Sequence, residues 1–236
     1  MSLITKKNIL VTGANRGIGL GLVAYLLASG NELVATWRNF SKSSDLQSLK
    51  SKYTNTLSVI EIDFLNANAA LEISEHLKDQ PIDIFINNAA VMGPIPQTIE
   101  TVSPKLWSEV LNLNLVTPLL ITQKILKNIR NGKDKKLFFM SSKVGSITDN
   151  SRGGMYIQRS SKTALNQVVK SLSIDLSSEG ILAIALHPGW VKTRMGGENA
   201  LITVEKSVSG MVAIMAKANK YDTGKFFNYD GTSIPW

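Results

Sequence analysis

Short apolar runs alternate with segments of helical periodicity along the whole chain of 236 residues. Most of the runs are nearly continuous in Val, Ile, Leu and Phe, which is typical of strands covered on both faces. We expect strands at residues 8–12, 32–37, 57–62, 82–86, 136–140, 181–186 and 225–229. This alternation predicts an α/β fold, a doubly wound parallel sheet of about seven strands with helices on both faces.

The chain is expected to fold as one domain spanning residues 1–236. It has no internal repeat, no low-complexity tract and no Pro/Gly/Ser-rich linker that would divide it. Single α/β domains often reach roughly 250 residues. At this size, folding buries about 70–75% of the surface of the unfolded chain, so a core needs no disulfide or metal support.

Composition excludes several classes of site. The chain has no Cys and only two His, His76 and His187, so thiolate metal sites, disulfides and multi-histidine metal sites are excluded, and we expect no metal. The net charge of +8 permits an anionic partner. The basic residues are scattered rather than interleaved with aromatics, so we expect no nucleic-acid partner. No apolar stretch approaches the roughly 20 residues that span a bilayer, so we expect no membrane partner and a cytoplasmic protein.

Two helices are predicted in some detail. Residues 19–29 have helical character and end at Gly30, the residue type favoured just after a helix. Ala164, Val168, Leu172 and Leu176 follow one another at a spacing of four, which predicts a helix buried along that face.

The first predicted strand runs into a glycine-rich loop, Thr12-Gly13-Ala14-Asn15-Arg16-Gly17-Ile18-Gly19, and a helical pattern follows at once. Glycines permit a tight turn and let a pyrophosphate approach the backbone, while the helix N-terminus offers free N–H groups to the phosphates. The spacing is Gly-x-x-x-Gly-x-Gly rather than the usual Gly-x-Gly-x-x-Gly. In a doubly wound sheet, ligands bind beyond the carboxyl ends of the strands, so the residues after each strand are the candidates.

This loop resembles the cofactor loop of the short-chain dehydrogenase/reductase family, and four further motifs follow in the family's order. These are Asp63-Phe64, Asn87-Asn88-Ala89-Ala90, Ser141-Ser142 and the segment Pro188-Gly189-Trp190-Val191-Lys192-Thr193, together with Asn114 in a long helical segment. The resemblance covers essentially the whole chain and implies a Rossmann-type domain. Within the family, the chain resembles the sniffer- and C-factor-like carbonyl reductases. The residues that carry this resemblance are Gly153-Gly154-Met155, Arg159-Ser160-Ser161-Lys162, His187-Pro188-Gly189-Trp190-Val191-Lys192-Thr193, Met195-Gly196-Gly197 and the ending from Tyr229-Asp230-Gly231 to Pro235-Trp236.

The resemblance implies a nicotinamide cofactor, and two arginines indicate NADP(H). An acid at the end of the second strand would bind the ribose hydroxyls of NAD, but this position carries Arg38, and Arg16 lies within the glycine loop. A guanidinium binds phosphate through its charge and its fork of donors. The alternative is that both arginines are merely exposed basic residues. The expected cofactor-binding residues are Gly13, Asn15, Arg16, Gly17, Ile18, Gly19, Arg38, Asp63, Phe64, Asn88, Ala89, Ala90, Lys162, Pro188, Gly189, Val191 and Thr193.

The family reduces a carbonyl by hydride transfer, with a Tyr as proton donor, a Lys four residues later, a Ser that orients the carbonyl and an Asn. The resemblance places Ser142, Lys162 and Asn114 in these roles, but Gln158 stands where the Tyr is expected. Tyr156 lies two residues earlier, about 200° around a helix. The separation of sixteen between Ser142 and Gln158 matches the subgroup, which argues against a shift of register.

An amide cannot release a proton near neutral pH, so Gln158 cannot replace the phenol as general acid. Three interpretations stay open: a weak enzyme that uses water or Tyr156, a protein that binds the cofactor without chemistry, or a chain altered at this position. The expected function is NADP(H)-dependent reduction of an aldehyde, ketone or quinone. The alternative is a nucleotide-binding signalling or regulatory protein of the C-factor type.

We also expect a homodimer. The helical segment that holds Asn114, roughly residues 104–128, and the helix after Gln158 present apolar faces that family members commonly pair between subunits.

Overall fold

The computed structural model describes residues 4–38 and 43–236. Within these residues, seven strands form one sheet in the order β3-β2-β1-β4-β5-β6-β7, and every neighbouring pair is parallel. The strands are β1 (Asn8–Val11), β2 (Glu32–Trp37), β3 (Leu57–Glu61), β4 (Ile84–Asn87), β5 (Lys136–Met140), β6 (Leu182–His187) and β7 (Phe226–Asn228). The predicted doubly wound parallel sheet is confirmed, and each predicted strand is present within two residues at either end.

Helices cover both faces of this sheet. In the described part of the chain they are α1 (Gly17–Ala28), α2 (Ser44–Lys52), α3 (Ala69–Leu77), α4 (Pro104–Leu111), α5 (Thr117–Lys124), α6 (Leu126–Asn131), α7 (Tyr156–Asp175) and α8 (Val204–Lys217). Gly30 follows the end of α1 with a φ of +80°, as the sequence predicted.

Alternation along each strand divides the core into two layers. Ile9 and Val11 of β1 face the layer that contains α1 and α8, whereas Leu10 faces the layer that contains α3, α5 and α7. Strands buried on both faces need apolar side chains at consecutive positions. This requirement explains why the strands were readable as continuous apolar runs.

The predicted helix over residues 104–128 is not continuous. A π-helical turn at Asn112–Val116 separates α4 from α5, and α6 follows after Ile125. π-Turns insert one extra residue into a helix and often occur at functional sites. Here the turn contains Asn114, which is buried.

The predicted buried face of α7 was wrong, because the structure buries a neighbouring row of side chains on this helix. Ala164, Val168 and Leu172 are only partly buried, although Leu176 is buried. The stripe that faces the core runs at a spacing of four through Ile157, Ser161, Leu165, Val169 and Ser173. The two serines interrupt the apolar pattern of this buried stripe. The pattern of apolar residues in the sequence therefore favours the neighbouring stripe, which contains only apolar residues.

His187, the last residue of β6, is a largely buried side chain whose Nδ1 has no hydrogen-bond partner in the described structure. Burial, and to a smaller extent the charge of nearby Lys143, lowers the pKa of this imidazole to about 4, while Asp230 acts in the opposite direction. The imidazole is therefore neutral at pH 7. This agrees with a structural role for His187, and we do not assign it as a base.

The buried imidazole predicts acid sensitivity. The folded-state pKa of His187, about 4, lies below the ordinary value of 6.5, so the unfolded chain binds the proton first. Stability should fall as the pH drops from 6.5 towards 4, by on the order of 3 kcal/mol from this group. In His187→Leu, the free energy of unfolding, measured by urea titration across that range, should depend less on pH. His76→Leu, at the exposed histidine of α3, is the control, and equal pH slopes for wild type and His187→Leu would contradict the prediction.

Candidate functional site

The glycine loop between β1 and α1 packs directly against the end of β4. Gly13 has a φ of +69°, and a Cβ there would lie 2.8 Å from the Cα of Ala89. A Cβ at Gly19 would overlap the carbonyl oxygen of Gly13 and the side-chain nitrogen of Asn88. Glycine is therefore required at both positions for the loop to lie this close to the end of β4.

Side chains from β1 and β4 fix this loop. Asn88 Nδ2 donates to the carbonyl oxygens of Thr12 at 3.0 Å and Gly13 at 2.9 Å. The Thr12 hydroxyl oxygen accepts from the backbone N–H groups of Asn88 at 3.0 Å and Ala89 at 3.1 Å. Ala90 follows, partly buried. These bonds join the ends of β1 and β4 at the place where the order of strands reverses.

The N-terminus of α1 is arranged to receive an anion. The helix begins at Gly17, with Arg16 at the N-cap making no side-chain capping bond and no acidic residue in the first turn. The unpaired N–H groups and the positive end of the helix dipole, at Gly17, Ile18 and Gly19, therefore have no competing carboxylate. The carbonyl of Asn15 accepts a hydrogen bond of 2.8 Å from the Ser43 hydroxyl, which supports the loop from outside.

Three arginines surround this helix end. Burial lowers the pKa of the Arg16 guanidinium, and the positive charges of Arg194 and then Arg38 lower it further. All three side chains are exposed, and none is in a salt bridge within the described structure. Sequence reasoning found Arg16 and Arg38 but missed Arg194. Its signal was its position directly after Thr193, a predicted cofactor-binding residue whose methyl group lies against Gly17 of the glycine loop.

The remaining predicted cofactor residues lie at the same edge of the sheet. Phe64 is buried and Asp63 is exposed after β3, with the Asp63 carboxylate accepting from the N–H of Leu65 at 3.0 Å. After β6, the carbonyl of Pro188 accepts from the Ser207 hydroxyl. Gly189 has a φ of +85°, Val191 is buried, and the Thr193 methyl lies 3.2 Å from the position of a Cβ at Gly17. The structure thus brings these segments together along one edge.

Ser142 lies in the short segment that follows β5, and Lys162 lies on α7, which packs against that segment. The segment after Ser142 packs on α7 so closely that a Cβ at Gly145 would lie 2.8 Å from the Cβ of Lys162. The Lys162 ammonium is buried and donates to the carbonyl of Met140 at 2.8 Å. The Ser142 hydroxyl is partly exposed and makes no hydrogen bond within the described residues, so it is available to a ligand.

Burial alone lowers the pKa of the Lys162 ammonium, to about 8. No carboxylate is paired with it in the described structure. The Lys162 ammonium is thus a cation at neutral pH that is shielded from water. Its electrostatic effect on neighbouring groups is therefore stronger than that of a cation at the surface.

Asn114 ties the loop after β4 to α7. Its side chain accepts from the N–H of Val91 at 2.9 Å, donates to the carbonyl of Val91 at 2.8 Å, and donates to the Ser161 hydroxyl at 3.1 Å. The amide is therefore satisfied by the backbone and by one neighbouring side chain. This geometry gives Asn114 a positioning role in the site.

Gln158 lies one helical turn before Lys162, but its side chain contributes little to the local structure. Its Oε1 is buried without a partner. Among the described residues, its hydrogen bonds are made by the backbone: its N–H donates to Gln97 Oε1 at 3.0 Å, and its carbonyl accepts from the Ser161 hydroxyl at 3.0 Å. Tyr156 is exposed at the first position of α7.

Gln97 is a second residue that sequence reasoning missed. It is buried, and its side-chain amide nitrogen donates to the carbonyls of Met92 at 2.8 Å and Pro94 at 2.9 Å, while its backbone carbonyl accepts from the N–H of Met155 at 3.0 Å. It therefore holds the loop after β4 against the start of α7. No local sequence signal marks a glutamine in an irregular loop for such a role.

Two searches of the described residues bear on other classes of site. No helix there is both long and apolar enough to cross a bilayer. No group of three or more His, Asp or Glu side chains comes together there in a way that could hold a metal ion.

Comparison with known proteins agrees with this geometry. Residues 7–201 match the family model for short chain dehydrogenase. C-signal from Myxococcus xanthus is 38% identical over 156 residues, which cover 66% of this chain and 93% of that protein. The carbonyl reductase Sniffer of D. melanogaster superposes with a TM-score of 0.89 at 34% identity, covering 98% of this chain and 100% of that one. The structure of an NADPH-bound carbonyl reductase from chicken fatty liver gives a TM-score of 0.89 at 34% identity, with 99% and 100% covered.

The glycine loop, the Asn88 motif, the Ser142–Lys162 pair and these similarities agree with one another, and the resemblance seen in the sequence is confirmed: the chain belongs to the short-chain dehydrogenase family.

Proposed function

We propose that this protein is an NADP(H)-dependent reductase of a small carbonyl compound, an aldehyde, ketone or quinone. The observation that carries the proposal is the anion-ready glycine loop with its flanking arginines, at the same sheet edge as Ser142 and the buried Lys162. Similarity to an NADPH-bound carbonyl reductase supports it.

The residues present fit a dinucleotide. Gly13 and Gly19 let the loop turn tightly against the end of β4, because a Cβ at either position would collide with Ala89 or with Gly13 and Asn88. This turn leads directly into the N-terminus of α1, where a pyrophosphate would be bound. Asp63 and Phe64 would flank the adenine, and Lys162 the nicotinamide ribose. When bound, the nicotinamide supplies the hydride. The protein's own task is to orient the carbonyl and deliver a proton to its oxygen.

We propose that the cofactor is NADP(H) rather than NAD(H). Arg38 stands at the end of β2, where an acid would otherwise bind the ribose hydroxyls and repel a phosphate. Arg16 lies close enough for the two charges to interact. A ribose phosphate would relieve the repulsion between these guanidinium groups.

Calorimetric titration tests this preference. NADPH should bind more tightly than NADH, and Arg38→Ala should reduce that difference by about tenfold or more, since a hydrogen bond to a charged group contributes about 1.5–3 kcal/mol. NADH affinity should change little in Arg38→Ala. Equal binding of the two cofactors by the wild-type protein, or tighter NADH binding, would refute the preference.

Ser142 and Lys162 can perform part of the reduction. The free Ser142 hydroxyl can donate to the carbonyl oxygen and orient it. The buried Lys162 cation favours negative charge that develops nearby. The missing element is a proton donor, because the Gln158 amide does not ionise near neutral pH. Water or Tyr156 would have to supply the proton, and the site as it stands should turn over slowly.

Restoring the phenol should therefore raise the rate. In Gln158→Tyr, the hydroxyl would lie one turn before Lys162, whose charge favours the phenolate and tunes the group towards neutral pH. NADPH-dependent reduction of a panel of aldehydes, ketones and quinones, followed by loss of NADPH absorbance, should increase on the order of 10²-fold or more. NADPH affinity should change little, because Gln158 makes no bond that holds the glycine loop.

Two control variants test the assignments behind this prediction. Ser142→Ala in the Gln158→Tyr background should remove most of the gained activity. If Tyr156→Phe instead abolishes the activity of the wild-type chain, and Gln158→Tyr adds little, then Tyr156 is the acid and the assignment of Gln158 is wrong.

A second candidate function is a nucleotide-binding signalling protein, and the amide at position 158 is the observation that favours it. Similarity to a protein named C-signal is consistent with this alternative. It predicts that both wild type and Gln158→Tyr bind NADPH, and that neither reduces any carbonyl in the panel.

We further propose a homodimer. Val116, Leu119 and Leu120 are exposed beside and within α5, and Ala164 and Val168 of α7 are only partly buried. Exposed apolar side chains clustered on a helix surface are typical of an interface. Analytical ultracentrifugation at micromolar concentration should give a species of twice 25.7 kDa. Leu119→Glu combined with Leu120→Glu should shift it to the monomer, and a wild-type monomer would contradict the proposal.

A further inference from the structure

The loop after β6 holds Arg194 in a fixed place. The N–H of Gly197 donates to the carbonyl of Thr193 at 2.9 Å, and the N–H of Gly196 donates to the Thr193 hydroxyl at 3.1 Å. Val191 forms a bridge with Ile202, which closes the base of the loop. Arg194 therefore extends from a closed turn rather than from a free loop.

This turn covers the start of α1. The Thr193 methyl lies 3.2 Å from the position that a Cβ would take at Gly17, the first residue of that helix. Arg194 directly follows Thr193 in the chain, and Arg16 directly precedes Gly17. Their guanidinium charges interact more strongly than those of Arg16 and Arg38.

The sheet order places Arg38 and Arg194 on opposite sides of the glycine loop. β2 neighbours β1 on one side, whereas β4, β5 and β6 follow on the other. Arg38 follows β2, and Arg194 follows β6. A dinucleotide bound across this edge would have its adenosine on the β2 side, its nicotinamide on the β6 side and its pyrophosphate between them at α1.

The surroundings of Arg194 leave its charge uncompensated. A cavity of about 550 Å³ is lined by Lys192, Thr193, Arg194, Gly197 and Glu198. Glu198 brings one carboxylate, but it forms no salt bridge with Arg194 in the described structure. A ligand with more than one phosphate would best neutralise the mutual repulsion of the three arginines.

We propose that Arg194 binds the pyrophosphate of the nicotinamide dinucleotide, reaching it from the β6 side, while Arg38 binds the phosphate on the adenosine ribose. This inference rests on the proposed function, because it assumes that the dinucleotide occupies this edge. Arg16 lies between the two and contributes to both phosphates. The arginines thus divide their roles: Arg38 distinguishes NADPH from NADH, and Arg194 strengthens the binding of both.

The experiment measures the affinities of wild type, Arg194→Ala and Arg38→Ala for NADPH and for NADH by isothermal titration calorimetry. Arg194→Ala should weaken the binding of both cofactors by about tenfold, because the pyrophosphate is common to them. Arg38→Ala should weaken NADPH alone. The affinity of Arg194→Ala for NADPH should also depend less on salt concentration than that of the wild type, since one phosphate contact is lost.

Lys217→Ala is the matched control. It removes one positive charge at the end of α8, which lies at the opposite edge of the sheet, where the Met215 carbonyl accepts from the side chain of Lys136 at the start of β5. It should leave both affinities unchanged. Thermal melting of each variant checks that the fold is intact.

The outcomes separate the two proposals. If Arg194→Ala leaves both affinities unchanged, or weakens NADPH but not NADH, the assignment of Arg194 to the pyrophosphate is overturned while the proposed function stands. If the wild-type protein binds neither cofactor, the proposed function fails, and the role of Arg194 fails with it.

Discussion

The hydrogen bonds between Asn88 and the glycine loop are the interaction on which the site depends. One side-chain amide satisfies the carbonyls of Thr12 and Gly13, and the Thr12 hydroxyl returns two bonds to the backbone beyond β4. Without these bonds, two carbonyls next to a left-handed residue would lack partners, at a cost of about 1–3 kcal/mol for each group that stays buried. The bonds hold the turn in the shape that aims α1 at a phosphate.

Hydrogen bonds between polar residues also fix the segment that follows β5. The Ser141 hydroxyl donates to Asn166 at 2.6 Å, and the Gly145 carbonyl accepts from Thr163 at 2.9 Å and Asn166 at 3.2 Å. These bonds fasten the segment that contains Ser142 to α7. Buried networks of this kind fix a single geometry, because each member is costly to leave unpaired. The placement of Lys162 follows from this attachment.

The sequence predicted what depends on local pattern and missed what depends on distant contacts. The strands could be predicted because burial on both faces requires consecutive apolar residues. The glycine loop could be predicted because steric contacts fix the spacing of its glycines. The buried stripe of α7 was misassigned, since Ser161 and Ser173 interrupt its apolar pattern. Arg194 and Gln97 became evident only when the fold brought together segments far apart in the chain. Asn114 was found through the resemblance, but the π-turn around it was not.

The residues proposed to bind the cofactor and the position proposed for the proton donor lie on different elements of the fold. The groups that fit the dinucleotide come mainly from loops after β1, β2, β3, β4 and β6, whereas the proton donor of the family is a single side chain on α7. The backbone of Gln158 is held by Gln97 and Ser161, and its side chain makes no hydrogen bond within the described residues. Under the proposed assignment, a substitution at this position would change the chemistry without removing a contact that supports the glycine loop. The acid of the family could then be lost while the proposed nucleotide site stays intact, and one substitution could restore it.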